Sequence, residues 1–73
     1  MRYNVEITIE CRTQKGAEDL AAFILYSGFI PFVDGTVISV IAKNVDSYAL
    51  QYITEIIEED ERVVSSSFHR TPF

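Results

Sequence analysis

The chain is poor in the residues that make cross-links and metal sites. It has one cysteine (Cys11), one histidine (His69) and no tryptophan. A single thiol excludes an intrachain disulfide and any cysteine-rich metal centre, and its natural setting is a reducing compartment. No apolar run approaches the length of a membrane span, and the opening MRYNVEITIE alternates apolar with polar where a signal peptide would be continuous. A soluble, cytoplasmic protein is expected, with no membrane contact. Bases are also scarce: six Lys and Arg, scattered, against eleven Asp and Glu, for a net charge of −5. Binding a phosphate backbone requires clustered cations that release counterions, so nucleic acid is not an expected partner. The three glycines stand singly at 16, 28 and 35, which leaves no phosphate-cradling loop.

What is present is apolar. Hydrophobic residues make up 48% of the 73, among them five Phe and four Tyr, the composition of a folded chain of one domain. A domain this small buries only about 60% of the surface its unfolded chain exposes, so a partner or a second copy is a natural cover for one face.

Tyr3, Val5, Ile7, Ile9 and Cys11 alternate with Arg2, Asn4, Glu6, Thr8 and Glu10, the period-two pattern of a strand with one buried face. TQKGAEDLAAFILYSGF reads as a helix capped by Thr13, with Leu20, Phe23, Ile24 and Ser27 as its stripe, Ala17 and Ala21 as small neighbours, and Gly28 as its left-handed terminator. FIPFVDGTVISVIAK reads as a hairpin turning through Asp34-Gly35 in the type I′ manner, both residues at positive φ. Pro31 cannot donate to a ladder and assigns the first arm to a sheet edge. NVDSYALQYITEIIEED gives a second helix, capped by Asp46 or Asn44, with Ala49, Ile53, Ile56 and Ile57 on one face and Tyr52 beside them. RVVSSSFHR closes the chain as a strand with Val64, Ser66 and Phe68 on one side, followed by a short tail, TPF. The order β-α-β-β-α-β predicts an α+β, ferredoxin-like fold: a four-stranded antiparallel sheet, order 4-1-3-2, with two helices on one face.

Catalysis finds little support. A Cys11–His69 dyad is conceivable on neighbouring strands, but Cys11 continues a buried apolar face, where thiols are inert. No cofactor, metal or catalytic residue is expected. The fold is also that of RNA-recognition modules, whose central strands offer aromatic residues to stack bases. The first strand here offers Asn4, Glu6, Thr8 and Glu10 instead.

Two surfaces remain as candidates for contact with a protein partner. One is the acidic run around the end of the second helix: Glu55, Glu58, Glu59, Asp60 and Glu61. Negative charge in the last helical turn is unfavourable by about 0.3–1 kcal/mol per residue, which points to electrostatic docking on a basic surface. The simpler alternative is a solvated turn in which Glu58 or Glu59 pairs Arg62 at helical spacing. The other surface is the sheet face opposite the helices, with Glu6, Thr8 and Glu10 beside Val37, Ser39 and Ile41, extended by Ser65 and Ser67. It suits a partner or a homodimer.

The layout VEITIEC…KGAEDLAAFILYSGFI…TVISVIAKN…DSYALQYITEIIEED-ERVVSSSF resembles an ACT-type regulatory domain, and the resemblance covers most of the chain. That family implies amino-acid binding in the loop after the first strand, commonly an Asp before Pro-Gly. Here the loop is Arg12, Thr13, Gln14, Lys15 and Gly16: the glycine matches, Lys15 stands at the proline and Thr13 near the Asp. The leading expectation is thus a non-enzymatic binding module, an inhibitor or adaptor, of which a phage-encoded inhibitor of a host protein is a special case. The alternative is an ACT-like sensor of a small metabolite.

Overall fold

In the computed structural model, which describes all 73 residues, β1 (Arg2–Cys11) leads to α1 (Gln14–Tyr26), β2 (Pro31–Asp34), β3 (Val37–Asp46), α2 (Ser47–Glu59) and β4 (Val63–Pro72). The strands form one antiparallel sheet in the order β2-β3-β1-β4, the ferredoxin-like arrangement. No helix is long and apolar enough to cross a membrane.

The core lies between the sheet and its two helices. Val5, Ile7, Ile9 and Cys11 of β1 and Ile38 and Val40 of β3 supply the sheet side. α1 contributes Ala17, Leu20, Ala21 and Ile24, while α2 contributes Leu50, Ile53 and Ile57. Both helical stripes are rotated from the sequence expectation. Phe23 and Ala49 are exposed, Ser27 and Ile56 are half-buried, and Tyr52 is exposed. In α1 small Ala17 and Ala21 take the contact line because they let the helix approach the sheet, which displaces bulkier Phe23 to the margin.

Local chemistry explains the boundaries. Thr13 caps α1 by accepting the Gly16 N–H at 2.9 Å. α1 ends in a Schellman turn: Phe29 N–H donates to Ile24 O, Gly28 N–H donates to Leu25 O, and Gly28 takes φ 100°. Buried Phe29 then rejoins the core that Ile24 occupies. Asp46, not Asn44, caps α2, accepting the Tyr48 N–H at 2.7 Å.

The hairpin departs from expectation. Asp34 pairs with Val37, so the two-residue loop is Gly35-Thr36, with positive φ at Gly35 alone. Glycine at the first central position is the type II′ requirement, whereas type I′ would have strained Asp34 as well.

Two bulges reset the faces of the longer strands. Lys43 and Asn44 together oppose Asn4, and Asn44 sits in the left-handed region at φ 58°. The extra residue turns Val45 inward, as Ile38 and Val40 are upstream. In β4, Glu10 pairs with Ser65 and Cys11 with Val63, leaving Val64 as the extra residue. Val64 is therefore exposed and off the face of Ser66 and Phe68, where the sequence pattern alone had put it. TPF is not a free tail: Thr71 and Pro72 pair with β1, and Phe73 N–H donates to Arg2 O.

The two left-handed positions separate experimentally. Gly28→Ala is expected to lower the unfolding free energy by about 1–2 kcal/mol, and Asn44→Ala by a similar amount. Asn44→Gly should stay within about 0.5 kcal/mol of the parent, because glycine tolerates that conformation. Urea unfolding curves of the three variants check this.

Candidate functional site

The acidic run divides into one structural residue and three exposed ones. Asp60 is the C-cap of α2, and its carboxylate turns back onto the chain. Oδ1 accepts the Arg62 N–H at 2.8 Å and the Arg62 Nε at 2.9 Å, and Oδ2 accepts Nη2 at 2.7 Å. Val63 N–H donates to Asp60 O, which closes the tight turn into β4. The aspartate side chain is only 13% exposed and its arginine 40%, so this bidentate pair is better shielded than an ordinary surface bridge. Hydrogen bonds from the Arg62 side chain hold the Asp60 carboxyl below the usual carboxylate range and raise the guanidinium in turn. Arg62 thus pairs with Asp60 across the turn, not with Glu58 or Glu59 along the helix. Glu58, Glu59 and Glu61 are exposed and have no salt bridge, and Glu55 accepts only from Gln51 Nε2.

The same turn fills the loop that resembled a ligand site. Arg12 N–H donates to Arg62 O, and Arg12 Nε donates to Glu61 O at 3.0 Å. A side chain at Gly16 would meet Thr13 Oγ1 at 3.1 Å and the Arg62 Cβ and Cγ at 3.5 and 3.6 Å. The tight neighbour at Gly16 is therefore the capping Thr13 hydroxyl, with the Arg62 stem at ordinary contact distance and no positive φ involved. Thr13 is occupied as the cap, and Lys15 Nζ pairs with Asp19 at 3.1 Å. Gln14 points its amide at Glu18. Each of the side chains Arg12, Thr13, Gln14 and Lys15 thus has at least one partner within the chain.

The open face of the sheet is different in kind. Across β2, β3, β1 and β4, one row reads Asp34, Val37, Glu10, Ser65 and the next Phe32, Ser39, Thr8, Ser67. A third holds Ile41, Glu6 and His69. Phe32 is 68% exposed and Ile41 61%, whereas Val37 is half-buried. Glu10 is partly committed, accepting from Thr36 Oγ1 at 3.2 Å. The face therefore carries an apolar centre of Phe32, Ile41 and Val37 on the β2–β3 side. Glu6, Glu10 and Asp34 border it, and small hydroxyls fill the β1–β4 side. Sequence reasoning named eight of these residues and missed Phe32, Asp34 and His69. The alternation through Pro31 would have placed Phe32 there, since residue 32 shares a face with 37, 39 and 41 in either hairpin register.

Open face and acidic helix end lie on opposite layers of the molecule, so a single flat contact does not span both. Cys11 and His69 also separate: Cys11 faces the core opposite Val63, while His69 faces out opposite Glu6. Burial, reinforced by the Asp60 carboxylate, pushes the Cys11 thiol up, away from the reactive thiolate. No group of three or more His, Cys, Asp or Glu side chains is arranged to hold a metal ion.

No protein-family model matches the chain, and no curated protein or solved structure matches it. Of the resemblance drawn from sequence, the βαββαβ layout and its antiparallel sheet are what the structure shows.

The turn has a pH signature. A carboxyl depressed in the folded state contributes stability that is full above its unfolded pKa, about 3.9, and lost as pH falls through the folded value. Asp60→Asn should therefore cost about 1–2 kcal/mol at neutral pH, after discounting for the exposed arginine, and flatten the acid limb of a melting-temperature profile. In the single chain at high dilution, Glu58→Gln and Glu59→Gln should be neutral to slightly stabilising at the same pH, because they relieve the helix terminus. The raised Cys11 thiol has the opposite sign. Its contribution is full below the ordinary thiol pKa of about 8.5 and lost as pH rises through the folded value, so Cys11→Ala flattens the alkaline limb of the same profile.

Proposed function

We propose that the chain is a non-enzymatic protein-binding module, an inhibitor or adaptor, that docks the open face of its sheet on another protein in a cytoplasmic, reducing setting. The observation that carries the reading is the pair Phe32 and Ile41, both more than half exposed on a strand face with acids around them. Two large apolar side chains held on a rigid sheet form a preordered anchor, since no loop has to be fixed on binding. The border of Glu6, Glu10 and Asp34 favours a partner whose apolar patch is rimmed by Lys or Arg, and it repels nucleic acid. Thr8, Ser39, Ser65 and Ser67 add hydroxyls that permit close approach without a bulky obstacle.

The metabolite-sensor reading has less to recommend it. Its loop spends Arg12 on bracing the Asp60–Arg62 turn and Thr13 on capping α1 at Gly16. A thermal-shift panel of amino acids is expected to leave the melting temperature unmoved.

Affinity capture on immobilised chain, followed by mass spectrometry, identifies the partner, and variants then assign the surface. Phe32→Ser with Ile41→Ser should weaken the captured complex about a hundredfold while leaving cooperative unfolding intact. Glu6→Lys should slow association and reduce its salt dependence. A partner held equally well by both variants would refute docking through this face.

A further inference from the structure

The sheet protects one of its edges and leaves the other open. β2 is four residues long and begins with Pro31. Ladder phase turns that proline's missing donor outward: Cys11 N–H donates to Thr36 O, so even-numbered β3 residues bond β1, and Val40, opposite Pro31, is among them. β4 runs for ten residues on the other edge, with no lysine or acidic residue and no proline before Pro72. Phe73 N–H donates to Arg2 O, which continues the register Tyr3–Pro72 and sets the phase there too. Residues 65, 67, 69 and 71 accordingly bond β1, while Ser66, Phe68 and Arg70 aim their N–H and C=O groups outward. Such an edge is a template for another strand.

We infer that the free edge of β4 pairs antiparallel with the same edge of a second copy of this chain, joining two sheets into one of eight strands. The strand is complementary to itself. When Ser66, Phe68 and Arg70 face Arg70, Phe68 and Ser66 of the second copy, all three outward positions on each side exchange both hydrogen bonds about a twofold axis at Phe68. The half-buried Phe68 ring, on the helix side, is then covered across that axis.

Charge selects this occupant. Arg70 forms no salt bridge in its own chain and rests 4.9 Å from the centre of the Tyr3 ring. It borders a groove between α2 and β4 that also includes Leu50, Thr54, Glu58 and Phe68. Because α2 runs opposite to β4, its acidic end overlies the start of the strand. Arg70 of the second copy, arriving opposite Ser66, comes beside Glu58, which faces β4 from α2, and the twofold repeats the contact. An acid that the helix dipole disfavours in the single chain thereby acquires a cation. The inference is independent of the open-face proposal, because edge and face are separate surfaces with separate variants.

Size-exclusion chromatography with light scattering over a range of concentrations tests it. The parent chain should run at twice the chain mass. Ser66→Pro removes only an outward donor, so it should run at the chain mass with its circular dichroism and cooperative melt retained. Arg70→Glu should raise the dimer dissociation constant about tenfold or more, and adding Glu58→Arg should restore it. Arg70 reports on the pairing even if the proline variant folds poorly. A single-chain mass for the parent at every concentration would overturn the inference. So would a dimer indifferent to Arg70→Glu, or one broken by Phe32→Ser instead.

Discussion

The clasp between Asp60 and Arg62 holds together more of this molecule than any other polar contact. It ends α2 without a glycine, closes the turn that starts β4, and lays the arginine stem against Gly16 at the head of α1. The carbonyls of Glu61 and Arg62 then bind Arg12, so the two connections at this end of the sheet are tied to each other. Val64, the bulge residue, follows immediately and sets which side chains of β4 reach the core. A pair formed by residues two apart in sequence requires little loop-closing entropy, and the aspartate's burial shields it from salt. That combination makes the clasp effective where an exposed pair such as Lys15–Asp19 contributes little.

The clasp also resolves the chemistry of the acidic run. Taken as a string, EEDE is four carboxylates at a disfavoured helix end. In the fold, Asp60 is drawn inward and neutralised, so three charges are left to account for, and they are exposed and unpaired. Local pairing therefore explains the aspartate and cannot explain the glutamates. The position of Glu58 above the start of an unprotected strand is what links it to Arg70 of a second copy in the proposed edge pairing.

Much of the fold was legible because β1 alternates without a break and because Thr13, Gly28, Pro31 and Asp46 are strong punctuation. Those residues act locally, Thr13 and Asp46 through side chains that bond the backbone two or three residues on and Gly28 and Pro31 through their own backbones, so one sequence suffices to read them. The misreadings share a different cause. The rotation of each helical face depends on how its helix seats on the sheet, in α1 through the close approach at Ala17 and Ala21. The bulges at Asn44 and Val64 depend on pairing with a distant strand, and the turn at Gly35 depends on the register of its hairpin. Each is a property of two segments together. At the candidate sites, the acids of β1 were visible, but the fate of Asp60 was not. Helical spacing assigns Arg62 to Glu58 or Glu59, but the chain has already left the helix at Asp60, which takes the arginine instead.

A sheet in this fold has one face covered and one bare, and the two edges are equally exposed at the start. This chain treats these features unequally. Proline and brevity close the β2 edge, whereas ten residues with only His69 and Arg70 as basic side chains leave the β4 edge available. On the bare face, β1 is lined with Glu6 and Glu10, which discourage stacking of like faces, while Phe32 and Ile41 next to them are left uncovered. Two copies brought together by that face would set Glu6 and Glu10 against the same acids of the other copy. Brought together at β4, they would set Arg70 against Glu58. Like-charge repulsion thus directs self-association to the edge and keeps the apolar face free for a partner of opposite charge, so that both proposed contacts can be made at once.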